Sequence, residues 1–284
     1  MVEIKRIIEA ANQSYSLNNG NRTKELEELE NIVATKYSVN DICEYVAQVP
    51  WADVKRFQTV VEAKNDAHAC VDFALTVRGA NINSLQKKVI ELAEPSSIFK
   101  FANNVIGAEI LTLLNAIIKT KHTYWIVKFA LLININDAEK VSIEDAIIAT
   151  KNPAAIFRLA AGDKGYDVLK LQQALIATGD TSLLFRFAYE VKGADIPSLQ
   201  EAIVNSHSAH EIYRFARLIK KADINNLQLA LIDCGEPRFI YYFARFIKGA
   251  NIDLLKYALM NLNATDYLEK LEQEQRVVKD TFDQ

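Results

Sequence analysis

A segment of about 28 residues recurs along this chain, a period in the range of stacked repeats, and Phe-Ala begins most copies. Phe73-Ala74, Phe101-Ala102, Phe129-Ala130, Phe187-Ala188, Phe215-Ala216 and Phe243-Ala244 mark six copies, and Leu159-Ala160 marks another. The step from copy to copy is constant, except between Phe129 and Leu159, where it is longer by two. A fixed period of this size is the mark of a stacked architecture, in which each copy buries its apolar face only against its neighbours.

Each copy reads as two helices. Ile212, Phe215, Ala216 and Ile219 fall at i, i+3, i+4 and i+7, which is one apolar stripe of a first helix. Ile196, Leu199, Ala202 and Ile203 form the stripe of a second, repeated one copy later by Ile224, Leu227, Ala230 and Leu231. Gly79, Gly107, Gly193 and Gly249 share one repeat position after the first helix, where glycine is expected as a left-handed C-terminal cap. Asn81, Asp195, Asp223 and Asn251 follow as N-caps of the second helix. Glu94-Pro95, Asn152-Pro153 and Glu236-Pro237, aligned with Asp180-Thr181, start the first helix with a cap followed by proline. The copy from Phe129 carries the insertion and has no glycine, and Ser142 with Asp145 offers a substitute cap for its second helix. Loops are expected at Gly193-Ala194 and around 205–208.

These patterns predict an all-α chain, a right-handed-type α-solenoid of about eight tandem two-helix repeats with helical caps. Residues 1–45 form the N-terminal cap, with helical segments around 2–11 and 22–35. Residues 46–264 form the tandem repeats, the copy from Val46 being degenerate, and the charged segment 265–284 caps the C-terminal end. Phe at the start of each copy is expected to be an interlayer packing residue. The architecture resembles α-solenoid proteins of the HEAT-like kind over roughly Val46 to Lys270. The consensus Phe-Ala-x-x-Ile/Val-Lys-Gly-Ala-Asp/Asn-Ile-x-x-Leu-Gln is similar to that of uncharacterised bacterial and phage helical-repeat proteins. That resemblance implies a fold and carries no activity with it.

Chemistry is sparse. Cys43, Cys70 and Cys234 are odd in number and far apart, which reads as thiols in a reducing compartment. The N-terminal segment carries Glu3, Lys5, Arg6 and Glu9, unlike a signal peptide, and no apolar run reaches the roughly 18 residues of a membrane span. The expected location is cytoplasmic, with no membrane association. His207 and His210 stand at i, i+3 but lack a Cys partner or a HExxH context. No Walker loop, GxGxxG or GxSxG element occurs, so no catalytic residue, metal or other cofactor is expected and the chain reads as a non-enzyme.

Two columns of side chains stand out. At three positions of the first helix the copies read Arg158, Ala161, Lys164; Arg186, Tyr189, Lys192; Arg214, Arg217, Lys220; and Tyr242, Arg245, Lys248. Nine of these twelve are basic and none is acidic, in a chain of net charge −3. The spacing i, i+3, i+6 places each trio on one exposed helix face. One reading is inherited surface chemistry, with cations near helix ends offsetting the macrodipole or pairing with a capping Asp. The other is a partner-binding strip for a protein with an acidic surface, with Tyr189 and Tyr242 as flat contacts. Nucleic acid is the alternative ligand for the same strip. The second column, Gln86, Gln172, Gln200 and Gln228, is expected to bond to neighbouring turns rather than to a ligand.

Overall fold

The computed structural model describes residues 2–18 and 22–282, with side chains for 3–18 and 22–274. The outer part of the expected C-terminal cap, the side chains of 275–284, lies outside the described residues. Every regular element among the described residues is an α-helix, and consecutive helices pack in pairs as an α-solenoid of repeats requires. The chain divides into two compact units, residues 1–143 and 144–284, with the division inside one helix. The N-terminal unit holds α1 (Val2–Leu17), α2 (Lys24–Lys36), α3 (Val39–Gln48), α4 (Val54–Ala63), α5 (Ala67–Thr76), α6 (Ile82–Leu92), α7 (Pro95–Asn104), α8 (Ile110–Lys119), α9 (Thr123–Leu132) and the start of α10 (Asp137–Ala149). The C-terminal unit holds the rest of α10, then α11 (Pro153–Ala161), α12 (Val168–Ile176), α13 (Thr181–Glu190), α14 (Ile196–Asn205), α15 (Ala209–Leu218), α16 (Ile224–Asp233), α17 (Pro237–Phe246), α18 (Ile252–Asn261) and α19 (Thr265–Phe282). No described helix is long and apolar enough to cross a membrane.

Within each unit an odd-numbered helix packs on its own partner and on the next odd-numbered helix. The aromatic that begins each copy lies in that seam. Phe73, Phe101 and Phe129 in the first unit, and Phe187, Phe215 and Phe243 in the second, are all 0 % exposed, as is Leu159. Tyr45, one period before Phe73, extends the column backwards and is equally buried. Burial of one such ring contributes about 1.5–3 kcal/mol, which is why a lone repeat cannot fold but a stack can.

Three expectations about helix ends are corrected. The first helices do not end in a left-handed glycine. Their C-caps, Val77, Val105, Val191 and Ile247, are extended. Glycine comes two positions later at φ 80–89°. In three of these copies an N–H one place beyond the glycine donates back to the cap carbonyl, as from Ala80 to Val77 and from Ala250 to Ile247. That is a β-turn whose third residue needs positive φ, and glycine supplies it without steric cost. The left-handed cap follows the second helix instead. Asn65, Ala93, Lys121, Lys151, Gly179, His207, Gly235 and Asn263 occupy it in register, all at φ between 51 and 73°. Six of the eight are not glycine, so sequence inspection does not mark the position. The second correction concerns α10. It starts at Asp137, where Asn136 Oδ1 accepts from the Glu139 N–H and Glu139 accepts from the Asn136 N–H. That reciprocal box starts the helix early, so Ser142 lies in its interior and caps nothing. The third concerns two N-caps: Asp195 holds the N-cap position of α14 but accepts from the Ser198 hydroxyl and from no backbone N–H of the first turn, and Glu236 holds that of α17 with no side-chain cap hydrogen bond.

The glutamine column bonds to turns, and it is longer than the glutamines alone. Gln172 Oε1 accepts from the Asp195 N–H at 2.8 Å while its Nε2 donates to the Asp195 carbonyl at 3.1 Å. Gln58 holds Asn81 and Gln200 holds Asp223 in the same two-pronged way. Gln86 and Gln228 accept from Glu109 and Asn251 N–H groups. Each bond spans 23 residues and pins the turn before the next second helix, satisfying backbone groups that helix formation leaves open. Glu30 and Glu144 take the same place by accepting from the N–H groups of Asp53 and Asp167. A carboxylate cannot donate to the facing carbonyl, and a buried charge needs a partner. Arg22 and Arg56 meet Glu30, and Lys170 meets Glu144 at 3.2 Å. Both Arg56 and Lys170 stand 26 residues after their acid. Where glutamine holds the place, that position is Ser84, Thr112, Ser198, Asn226 or Leu254.

Candidate binding strip on the first helices of the C-terminal unit

All eleven expected contact residues belong to residues 144–284. The structure brings them onto the solvent side of α11, α13, α15 and α17, but each trio is not a single helix face. Arg158, Arg186, Arg214 and Tyr242 lie within the helices. Lys164, Lys192, Lys220 and Lys248 lie beyond them, because α11, α13, α15 and α17 end at Ala161, Glu190, Leu218 and Phe246. These lysines occupy the connecting turns and are exposed.

The arginines are less free than the sequence suggests. Arg186 makes a two-pronged pair with Glu190 at 2.8 and 3.1 Å, and that hydrogen bond, against the effect of burial, raises the guanidinium pKa above its ordinary value. Arg214 is half-buried and pairs with the buried Glu211 at 3.0 Å. Arg245 meets Glu274 and the Tyr241 hydroxyl, each at 2.9 Å. Burial, followed by the hydrogen bond to Glu274, raises the Tyr241 hydroxyl. Arg217 donates to the Tyr213 hydroxyl at 3.1 Å.

These cations also pack. The Arg186 guanidinium lies 4.5 Å from the Phe157 ring centre, and that of Arg214 lies 4.1 Å from Phe185. In each case the ring belongs to the preceding repeat. Tyr242 continues the pattern on Tyr213 at 6.0 Å, and in the N-terminal unit Lys128 does so on Phe99 at 4.9 Å. The negative face of an aromatic ring attracts a cation held above it. Part of the basic column is therefore mortar between layers. The signal was present in Phe157-Arg158, Phe185-Arg186 and Tyr213-Arg214, where an aromatic precedes each arginine.

What remains for a partner is narrower. Among the described residues, Arg158, Lys164, Arg217, Lys220 and Lys248 have no carboxylate within ion-pair distance, and Lys192 reaches Asp163 only at 4.0 Å. Between them stand exposed apolar side chains the sequence reading passed over: Leu218 and Phe246 join Tyr189, which is 62 % exposed. The Arg217 and Arg245 guanidinium groups lie 5.6 and 4.9 Å from the Phe246 ring. Elsewhere, His207 and His210 are exposed, and no group of three metal-ligating side chains occurs among the described residues.

No family model matches the chain, and no curated protein matches it. A solved structure to which it is similar is described as "Computational Design of Self-Assembling Cyclic Protein Homooligomers". The alignment covers 96 % of this chain and 97 % of that chain at 16 % identity, with a TM-score of 0.13. So loose a superposition carries no weight, and the fold rests on the packing of this chain's own helices.

Proposed function

We propose that this protein is a non-enzymatic, cytoplasmic helical-repeat scaffold that binds a protein partner with an acidic surface along the first helices of residues 144–284. One observation carries the reading: the apolar side chains Tyr189, Leu218 and Phe246 stand exposed in the same stretch as Arg217, Lys220 and Lys248, which have no carboxylate within ion-pair distance among the described residues. Flat aromatic and arginine surface with few lysine–glutamate pairs is the composition of protein-binding patches. Stacked repeats present such side chains at regular intervals, which suits an elongated contact.

The test is the triple reversal Arg217→Glu, Lys220→Glu and Lys248→Glu. These three sit on exposed positions and avoid the arginines paired to Glu190, Glu211 and Glu274. The folded wild type should retain a protein from lysate before and after nuclease treatment, and the triple variant should lose it. Retention that vanishes with nuclease would replace the protein partner by nucleic acid, whose affinity should fall steeply with salt through counterion release. Retention by the triple variant would remove the strip from binding altogether.

A further inference from the structure

Two shallow grooves recur at the same place in the C-terminal unit, where the end of one odd-numbered helix meets the turn of the next. The first lies between α11 and α13 and is lined by Ala161, Asp163, Lys164, Val168, Glu190 and Lys192 among others. The second, one repeat on, lies between α13 and α15 and is lined by Tyr189, Ile196, Leu218, Ile219, Lys220 and Lys221. The lining positions correspond: 161 with 189, 168 with 196, 190 with 218 and 192 with 220. Their chemistry does not. In the first groove the carboxylates of Asp163 and Glu190 line the wall with the two lysines; Asp163 lies 4.0 Å from Lys192, and Glu190 is paired with Arg186. In the second, Leu218 replaces Glu190, no carboxylate is among the lining residues, and Lys221 adds a cation where Gly193 stands a repeat earlier. At the corresponding positions of the third repeat, the Arg217 guanidinium lies 5.6 Å from the Phe246 ring.

We propose that the groove between α13 and α15 is the specific recognition site for an acidic peptide segment. A carboxylate meets Lys220 and Lys221, and a neighbouring apolar side chain lies on Leu218, Ile196 and the Tyr189 ring. The proposal rests on the strip's being a protein-binding surface and names what it reads. Charge complementarity selects the occupant. Lys220 and Lys221, adjacent in sequence, both line the groove with Leu218, Ile196 and Tyr189 and lack an acid of their own among the described residues, and a polypeptide carboxylate beside a hydrophobic residue matches both features. Nucleic acid fits less well, since only one aromatic ring lines the groove and a bare phosphate backbone leaves the apolar floor uncovered.

Fluorescence anisotropy with the full chain tests this. The probe is a fluorescein-labelled peptide of glutamates flanking one phenylalanine; the comparison probes are its Phe→Ser version and labelled oligodeoxythymidine. Wild type should bind the phenylalanine peptide best. Lys220→Gln with Lys221→Gln should weaken it about tenfold or more, the loss of roughly one charged contact or two. Leu218→Ser should weaken it to a similar degree and abolish the preference over the Phe→Ser peptide. Lys119→Gln with Lys121→Gln, an exposed pair in the N-terminal unit, should leave binding unchanged. If both lysine pairs weaken binding equally, attraction is diffuse and the groove is not a site, although the strip could still hold its partner. Failure of every peptide to bind, while the wild type still retains a nuclease-resistant protein that the triple reversal loses, likewise overturns the groove and spares the strip. Preference for oligodeoxythymidine overturns both.

Discussion

A buried amide that holds both polar atoms of one residue's backbone does alone what a carboxylate does only with help. Gln200 accepts from the Asp223 N–H at 2.7 Å and donates to its carbonyl at 3.3 Å. Gln200→Ala should cost about 1–3 kcal/mol by leaving those groups without their partner. Gln200→Glu should also destabilise at neutral pH, because the new carboxylate faces the Asp223 carbonyl. Adding Asn226→Lys, at the position Lys170 takes relative to Glu144, should recover most of the loss. A urea titration series giving a neutral Gln200→Glu, or no recovery in the double variant, would contradict this account of the column. The left-handed position after each second helix gives a prediction of opposite sign. Ala93 sits there at φ 51°. That conformation costs an L-residue about 1–2 kcal/mol and glycine nothing, although glycine loses more chain entropy on folding. Ala93→Gly should therefore raise the stability by about 0.5–1 kcal/mol, read as a higher urea midpoint at unchanged slope.

At the scale of the element, the caps decide where helices start. Asn136→Ala should cost about 1 kcal/mol by removing the box that starts α10, whereas Ser142→Ala, exposed in the helix interior, should stay within about 0.5 kcal/mol of wild type. Equal effects would return the cap to Ser142. Glu94 caps α7 through the Ser96 and Ser97 N–H groups and the Ser96 hydroxyl. Burial acts to raise its pKa, but the hydrogen bonds from Ser97 and Ser96 outweigh that effect and hold the carboxyl below the ordinary glutamate value of 4.5. A lowered folded-state value means the stabilisation is complete above the ordinary value and is lost as pH falls through the folded one. Melting curves of Glu94→Gln should accordingly fall less on acidification than those of wild type, and parallel curves would show that the carboxylate contributes nothing.

For the molecule as a whole, stability is the sum of repeats and of the seams between them, so damage should stay near its origin. Phe215 is 0 % exposed on α15, which packs against α13, α16 and α17. Phe215→Ala should cost about 3–5 kcal/mol. Hydrogen exchange should show the lost protection centred on α13 to α17 and little change in residues 1–143. Uniform loss across the chain would mean a single cooperative core instead of a linear array.

The constant repeat period, the buried Phe column, the N-caps at Asn81, Asp223 and Asn251 and the turn-binding glutamines were legible in the sequence. Each depends on near neighbours along the chain or on a repeat that copies one packing solution many times. Less legible were features whose residue type varies while the backbone role stays constant. The left-handed position is filled by Asn, Ala, Lys, His or Gly, and the glutamine column passes through Glu30 and Glu144, recognisable only by stepping whole periods from a known member. The strip shows the same division. Its basic residues could be counted, but whether a cation faces solvent or is paired to Glu190, Glu211 or Glu274 depends on which side chains the fold brings within hydrogen-bond reach. The stacking of Arg186 on Phe157 and of Arg214 on Phe185 joins residues of different repeats. Local pattern therefore determined the helices and their order, and the contact between layers decided which charges remained available.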